Sequence, residues 1–255
     1  MEKIDEIPSQ TIESISSFLE SIAERYIGNE NILFRGQLDH EWDLTPKIGR
    51  LKLRYRHCSS LLSTEQKLFS DFERLAASQL RSRQLQSKWD TLALGQHHGL
   101  PTRLLDWSSN PLVALWFAIE RPAESDAAVV WAYGASESDF VNDTDDPFQL
   151  PKTMIFRPQH LDERIIAQSG WFSVHNYSEE TKQLSTFEKI NGQNIRLHKF
   201  LIPKEKFAPI REELARCGVT RASLFPDLSG LCQHLTWKYE FFPDEDEYDL
   251  CSSIL

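Results

Sequence analysis

Arg35 and Gly36 are the first residues whose types and order could serve chemistry. They end a short apolar run, Asn31 to Gln37, that predicts a strand. An arginine at a strand end offers a forked donor, and a following glycine lets a ligand approach the backbone closely. Arg35 and Gly36 are therefore predicted ligand contacts. The alternative is an arginine that pairs with a nearby carboxylate and holds the strand end.

A second polar group lies between Thr91 and Glu120. His97 and His98 close a helix predicted over residues 86–98, and Gly99 follows as the residue that ends it. Imidazoles at a helix C-terminus can satisfy free carbonyls, which is the structural explanation for at least one of them. His97 is the one predicted to contact a ligand.

Arg103 and Asp106 follow on a segment of strand length, residues 102–107. A ligand contact and a buried ion pair are equally good explanations for this pair. Ser108 and Ser109 then precede Asn110, which is best explained as the N-cap of a helix over residues 112–119. Unpaired amides at a helix start favour anions such as phosphate, so both serines are predicted ligand contacts.

Gln168 is the last polar residue of interest, because it lies in the largely apolar run from Glu163 to Val174. The run predicts two strand segments separated by a turn at residues 169–170. A polar side chain inside such a run needs hydrogen-bond partners. Glu163 is the carboxylate at its start.

The elements around these residues predict one α+β domain, with a mixed, mainly antiparallel sheet core flanked by helices. Their order is too irregular for a repeating βαβ sheet. The remaining predicted strands cover residues 127–133, 154–156 and 195–202, and the remaining helices cover residues 11–26, 63–85, 204–217 and 225–239.

Composition limits the function. The chain has 255 residues and a formal net charge of −10, which disfavours bulk binding to a nucleic acid backbone but leaves room for a local basic patch. Four scattered cysteines give neither a disulfide framework nor a zinc site, and no metal is predicted. No apolar run spans a membrane and the N-terminus is unlike a signal peptide, so we expect a cytoplasmic protein without membrane contact. The acidic tail, about residues 243–255, is expected to be loosely held.

Several of these segments together resemble the FRG domain family, which is named for its Phe/Tyr-Arg-Gly tripeptide. The resemblance covers most of residues 32–235 and implies a bacterial or prophage-associated protein. The matching segments are Phe34-Arg35-Gly36 with Trp42, Leu44 and Pro46, then residues 96–118, 164–165, 167–168, 172 and 224–228.

A weaker resemblance connects the same segments to ADP-ribosyltransferases of the arginine–serine–glutamate type. In that family a first-strand arginine holds the phosphates of NAD, a serine motif precedes a helix, and a later glutamate supports the transition state. Arg35 and Ser108-Ser109 match the first two elements. Glu163 lies about one residue from the expected third position, which Arg164 occupies, so Gln168 is an alternative for the residue that faces the pocket.

The resemblance implies an NAD-dependent ADP-ribosyltransferase or NAD glycohydrolase-like effector in bacterial or phage conflict. NAD would be the substrate, and the partner would be a nucleotide ligand or a macromolecular acceptor. Glu163, Gln168 and Asp106 are the predicted catalytic residues, while His97 and Arg103 would add phosphate or substrate contacts. One alternative is a non-catalytic module that binds nucleotide or nucleic acid. A weaker alternative is a metal-dependent nuclease acting through Asp106.

Overall fold

The structure is a computed structural model that describes residues 7–52, 60–81, 85, 87–142, 144–159, 163–189 and 196–245. Helices and a mainly antiparallel mixed sheet make up the fold, which confirms the predicted α+β class. The helices are α1 Ile15–Arg25, α2 Lys47–Arg50, α3 Leu61–Leu75, α4 Ala77–Arg81, α5 Lys88–His97, α6 Pro111–Ile119, α7 Glu163–Ala167, α8 Phe207–Arg216, α9 Arg221–Leu224 and α10 Leu228–Tyr239.

Seven strands form the main sheet in the order β1-β9-β4-β2-β3-β6-β5, and β7 pairs with β8 in a separate ribbon. Within the main sheet only β1 and β9 run parallel among the described strands. The strands are β1 Ser9–Thr11, β2 Ile32–Gln37, β3 Leu104–Ser108, β4 Ala127–Gly134, β5 Met154–Phe156, β6 Gly170–Val174, β7 Tyr177–Ser178, β8 Gln183–Leu184 and β9 Leu197–Pro203.

The sheet divides between β2 and β3. Strand β2 pairs with β4 along its whole length, and β3 pairs with β6 along its whole length. Between β2 and β3, by contrast, the described pairing is Phe34 opposite Ser108 alone. The two strands therefore diverge beyond this pair, and the backbone of Arg35 lies at the point of divergence.

Helix α6 covers this division from one face of the sheet, and its contact with β2 is unusually close. A methyl group added at Gly36 would lie 2.0 Å from the carbonyl oxygen of Ala114 and 2.5 Å from the backbone nitrogen of Ala118. Only a residue without a side chain allows α6 to pack this closely on β2. Gly36 was predicted as a ligand contact; it lines the cleft described below, but packing against α6 is what requires a glycine there.

The core lies on both faces of the sheet. One face packs against α1, α6 and α8, with residues such as Phe18, Leu115 and Phe200 fully buried between them. The other face buries Trp131 and Tyr133 with Phe187. Because both faces of the sheet are covered, every residue of β4 from Ala128 to Gly134 is buried, whichever face its side chain points to.

Asn110 is the N-cap of α6 with Pro111 in its first turn, as predicted. Several other boundaries were wrong. Helix α1 begins at Ile15 with Ser14 as its cap, because Ser9–Thr11 pairs with β9 as a strand. The helix predicted over residues 63–85 begins at Leu61 and is interrupted at Ala76.

The predicted strand beginning at Glu163 is instead the short helix α7, and only its second half, Gly170–Val174, is a strand. Ser169 lies between them with a φ of 49°, which is where the turn was expected. The helix predicted over residues 225–239 begins at Leu228, since Asp227 accepts the Gly230 amide as its N-cap.

The C-terminal tail was expected to be loosely held from about residue 243. Asp244 and Glu245 both accept hydrogen bonds from Arg211, so these two residues are attached to α8. Residues 246–255 lie outside the described part of the chain, as do Asp143, Asp162, Cys58 and Cys251. That the whole chain is one domain stays a prediction.

Candidate functional site

A cleft of about 410 Å³ opens where β2 and β3 diverge. We call it the β2/β3 cleft. It brings together residues from β2, α2, α5, β3, α6 and α7, which are far apart in the sequence. Its lining residues are Phe34, Arg35, Gly36, Gln37, Leu38, Trp42, Arg50, Gln96, His97, Asp106, Trp107, Ser108, Ala114, Phe117, Glu120, Arg164, Gln168 and Phe225.

Arg35 reaches from β2 across the division of the sheet. Its Nη1 donates to the backbone oxygen of Asp106 at 2.7 Å and lies 4.0 Å from the Asp106 carboxylate. Its Nε is buried and has no hydrogen-bond partner within the described residues. Burial lowers the pKa of Arg35, the Asp106 carboxylate raises it, and the positive charge of Arg50 lowers it again. This guanidinium is thus incompletely satisfied and close to a second one.

Two further guanidinium groups and one imidazole line the cleft around Arg35. Arg50 ends α2, His97 ends α5, and Arg164 lies in the first turn of α7. Arg164 forms an ion pair with Asp227 at 2.5 Å and lies over the ring of Phe225 at 5.1 Å. Clustered like charges repel one another unless an anion lies between them, so the arrangement favours an anionic ligand.

Asp106 presents a carboxylate to the opposite side of the cleft. Its side chain is 63% exposed, and one oxygen accepts a hydrogen bond from Gln96 Nε2 at 3.2 Å. Gln96 is itself held by Thr102, whose hydroxyl donates to the Gln96 oxygen at 2.7 Å. A chain of hydrogen bonds from α5 and β3 therefore orients a carboxylate that remains open to a ligand.

Ser108 and Gln168 form the floor near the start of α6. The Ser108 hydroxyl donates to the Gln168 carbonyl at 2.7 Å and accepts from the Asn110 amide at 3.0 Å. The Gln168 side-chain amide donates to the carbonyl of Leu224 at 3.2 Å. Ser108 therefore holds the end of α7 against β3 and shapes the floor of the cleft.

Two of the predicted site residues lie apart from this cleft. Ser109 is exposed and donates its amide to Ser169 at 3.1 Å. Glu163 is exposed at the start of α7. Because residues 163–167 form a helix, successive side chains point about 100° apart, and Arg164 lines the cleft where Glu163 does not.

Arg103 is also absent from the lining of the cleft. It is 0% exposed, and its Nε and Nη2 donate to the Glu65 carboxylate at 3.0 and 2.6 Å. Its Nη1 donates to the carbonyls of Pro147 at 3.2 Å and His175 at 3.5 Å. The buried ion pair that the sequence offered joined Arg103 to Asp106; in the structure Arg103 is buried in an ion pair with Glu65 instead, and each of its guanidinium nitrogens has a protein acceptor.

The cleft also contains residues that the sequence did not single out. Trp42 is 44% exposed at its rim, and Arg50 follows it on α2. Glu120 lies at the end of α6 and pairs with Arg221 at 3.0 Å. Trp42 belongs to the resemblance to the FRG family, so that signal was available, whereas neither periodicity nor motif marked Arg50 or Glu120.

The described residues contain no group of three or more His, Cys, Asp or Glu side chains arranged to hold a metal ion. None of the described helices combines the length and the apolar character needed to cross a membrane. Among the described cysteines, Cys217 and Cys232 are free and exposed.

A comparison with protein families identifies the region that forms much of this cleft. Residues 30–127 match the model of the FRG domain. The match contains Arg35, Arg50, His97, Asp106 and Ser108, and therefore both sides of the β2/β3 division. No curated protein and no solved structure matches the chain. The chain contains an FRG domain, and this domain provides most of the cleft; Arg164, Gln168 and Phe225 complete it from downstream.

Proposed function

We propose that the protein binds NAD in the β2/β3 cleft and cleaves the bond between nicotinamide and ribose, by ADP-ribosyl transfer or by hydrolysis. One observation carries the proposal. Arg35, Ser108 and Gln168 come from three distant parts of the sequence and line one cleft. Arg35 and Ser108 correspond to the first two positions at which the sequence resembles ADP-ribosyltransferases, and Gln168 is the alternative to Glu163 at the third.

The charge of the cleft supports a ligand that carries phosphates. Arg35, Arg50 and Arg164 line it together, and the buried Nε of Arg35 has no protein partner among the described residues. A pyrophosphate presents several acceptor oxygens and two negative charges, which match forked guanidinium donors. We assign Arg35 to the pyrophosphate because it lies where the two strands diverge and has an unused Nε donor.

The walls of the cleft support a ligand with aromatic rings. Trp42, Phe117 and Phe225 line the cleft beside the arginines, and Arg164 lies over the ring of Phe225. A volume of about 410 Å³ lies within the range of small-molecule sites, roughly 300–1,000 Å³. Phosphate-binding cations between aromatic walls favour a nucleotide over an inorganic anion.

The chemistry requires a negative group beside the ribose carbon that loses nicotinamide. The C–N bond breaks with its electron pair leaving on nicotinamide, and positive charge develops on the ribose. A nucleophilic acceptor, or water, then bonds to that carbon and gives up a proton. Asp106 is the carboxylate that we assign to this charge, in place of Glu163, because Asp106 lines the cleft and its close partner Gln96 is neutral.

The experiment measures nicotinamide release from NAD by the full chain, together with NAD binding by calorimetry. We expect Arg35→Ala to weaken NAD binding by about 10- to 100-fold, the loss of one charge-assisted contact. We expect Asp106→Asn to retain binding and lose most turnover, at least about 100-fold. Glu163→Gln is the matched control, since the same charge is removed outside the cleft, and it should retain both properties.

Absence of NAD binding at millimolar concentration would overturn the proposal. Loss of turnover in Glu163→Gln but not in Asp106→Asn would overturn the assignment of the carboxylate. Labelled NAD separates the two reactions, because hydrolysis yields free ADP-ribose and transfer labels an acceptor. The role in bacterial or phage conflict is tested in cells, where expression of the wild-type protein, but not of Arg35→Ala, should lower the NAD pool.

A non-catalytic nucleotide-binding module is the second proposal, and the position of Glu163 favours it. Because Glu163 lies outside the cleft, the part of the site that resembles a transferase most closely is the part that would bind phosphate. In this case NAD or another nucleotide would bind through Arg35 with no release of nicotinamide. Binding without turnover in the calorimetric and release assays identifies this function.

A further inference from the structure

A second pocket lies under α10, on the side of α6 away from β2/β3. We call it the α10 pocket. Its volume is about 490 Å³, and its walls come from α8, α9, α10, the end of α6 and the segment after α10. The lining residues are Trp116, Glu120, Arg121, Arg211, Ala215, Val219, Thr220, Arg221, Gln233, His234, Thr236, Trp237 and Phe242.

Three unpartnered nitrogen atoms belong to residues that line this pocket. Arg211 Nε, Arg221 Nε and His234 Nδ1 are all buried, and none has a hydrogen-bond partner among the described residues. Buried polar groups in proteins are almost always hydrogen-bonded, to protein, water or ligand. Three such atoms around one cavity therefore indicate a site for a molecule with several acceptor atoms.

The hydrogen bonds that Arg211 and Arg221 already make to carboxylates fix the orientation of their guanidinium groups. Arg211 is 4% exposed, and its Nη1 donates to Glu245 at 2.6 Å while its Nη2 donates to Asp244. Arg221 donates through Nη1 to Glu120 at 3.0 Å. In both residues the terminal nitrogens orient the guanidinium, and Nε remains for a further acceptor.

The charge and the walls of the pocket indicate the ligand class. Three arginines and one glutamate line it, in a protein whose formal net charge is −10. Trp116, Trp237 and Phe242 line the pocket as well, and the guanidinium groups of Arg221 and Arg211 lie over the rings of Trp116 and Phe242. Because Arg211 is paired with Asp244 and Glu245, and Arg221 with Glu120, the preference for an anion comes from the unused Nε–H donors and not from an excess of positive charge. Aromatic side chains stack planar rings.

We propose that the α10 pocket binds an aromatic organic anion of mononucleotide size, with its phosphate or carboxylate held by Arg211, Arg221 and His234. The site is separate from the β2/β3 cleft and does not depend on the reaction proposed there. Glu120 lines both cavities, so occupation of one can alter the other through the Glu120–Arg221 pair.

The experiment uses the full-length chain carrying Arg35→Ala, so that binding in the β2/β3 cleft is removed first. AMP and inorganic phosphate are the probes, and calorimetry measures their affinity. We expect AMP to bind more tightly than phosphate by at least about 10-fold, since its base adds contacts with the aromatic walls. In that protein His234→Ala should weaken AMP binding by about 10-fold, the loss of one hydrogen bond to a charged group.

Lys238→Ala is the matched control, because Lys238 lies on the same helix and is absent from the lining of the pocket. It removes a positive charge and should leave the affinity unchanged. His234 lies on a largely exposed helix, so both variants are expected to fold, and a melting temperature near the wild-type value verifies this.

No AMP binding by Arg35→Ala protein would overturn the second site, because the unpartnered nitrogens would then be hydrated only. Equal weakening by His234→Ala and Lys238→Ala would also overturn it, as a nonspecific charge effect. Equal affinity for phosphate and AMP would overturn the aromatic ligand class. Whether Arg35→Ala abolishes NAD binding by the otherwise wild-type protein tests the β2/β3 cleft alone. The two proposals can therefore fail separately.

Discussion

Arg35 lies on β2 and Arg103 directly precedes β3, and the two arginines differ in how their guanidinium groups are bound. Arg103 is fully buried, with its guanidinium donors bound to Glu65, Pro147 and His175. Arg35 has a buried Nε without a partner and lies beside a second cation. The difference teaches that an arginine whose donors are all used by the protein serves the fold, whereas one with a donor left over can serve a ligand.

Removing the Arg103 side chain is expected to have the largest effect. Arg103→Ala leaves the buried Glu65 carboxylate without its partner, which costs about 3–5 kcal/mol of unfolding free energy. Chemical denaturation measures this loss. Arg35→Ala is the matched comparison and should cost less than Arg103→Ala, because the Asp106 carboxylate that loses its partner is exposed to water. The main loss is the hydrogen bond from Arg35 to the Asp106 carbonyl, about 1–3 kcal/mol.

If Arg103→Ala does not fold, Glu65→Gln provides the same test with a smaller change. It keeps an acceptor for Arg103 and removes the charge, so it should still destabilise the protein more than Arg35→Ala does. Equal stability of the Arg35 and Arg103 variants would contradict the comparison.

Gly36→Ala tests whether close packing fixes the position of β2 against α6 at the cleft. The added methyl group meets the backbone of Ala114 and Ala118 in α6, so the helix or the strand must move. We expect a loss of about 1–3 kcal/mol in unfolding free energy. Gly28→Ala is not a suitable control because Gly28 has a positive φ, but Gly49→Ala meets mainly side-chain atoms and should cost less. A Gly36→Ala protein as stable as the wild type would show that α6 can shift.

Acid is expected to weaken the region around Arg103. Burial lowers the pKa of His175 from 6.5 to about 4, the Ser185 carbonyl raises it, and the positive charges of Arg35 and Arg103 lower it further. The unfolded chain therefore binds a proton that the folded chain does not, so this stabilisation is complete above about pH 6.5 and is lost as the pH falls towards 4. Between pH 7 and 5 the loss should be on the order of 2 kcal/mol.

Denaturation at several pH values measures this slope. In His175→Asn the dependence should be shallower, although not abolished, because burial also lowers the pKa of His198 to about 4. An unchanged slope in His175→Asn would mean that His175 is not the source.

Much of the candidate site could be predicted from the sequence because its residues lie in motifs with strong local signals. The strand end at Arg35, the helix end at His97 and the N-cap at Asn110 each follow from glycine, proline or a capping residue nearby. These boundaries were enough to identify Asp106 and Ser108 as residues of one segment. That they share a cleft with Gln168 depends on the sheet order, which local signals do not determine.

The rest could not be predicted, for identifiable reasons. Five residues with two adjacent isoleucines, Glu163 to Ala167, fit a strand and a helix equally well. The strand was the wrong choice, and Glu163 was predicted as a site residue although Arg164 is the one that lines the cleft. The partner of Arg103 lies on α3, a helix that no pattern connects to β3. Whether an arginine meets a carboxylate in the core or a ligand at the surface is decided by such distant contacts.

The close contact of Gly36 with α6 has a consequence for motion. Strand β2 and α6 touch backbone to backbone, so they form one rigid unit, and Arg35 and Ser108 at its edge keep a fixed separation. The opposite wall, Leu224 to Asp227, is held to α7 by the Gln168 hydrogen bond and by the partly exposed Arg164–Asp227 pair. These attachments are weaker than backbone packing. We therefore expect the wall at Phe225 to move more readily than the arginine at the base of the cleft, so that a ligand held by this arginine would be aligned against the less mobile side.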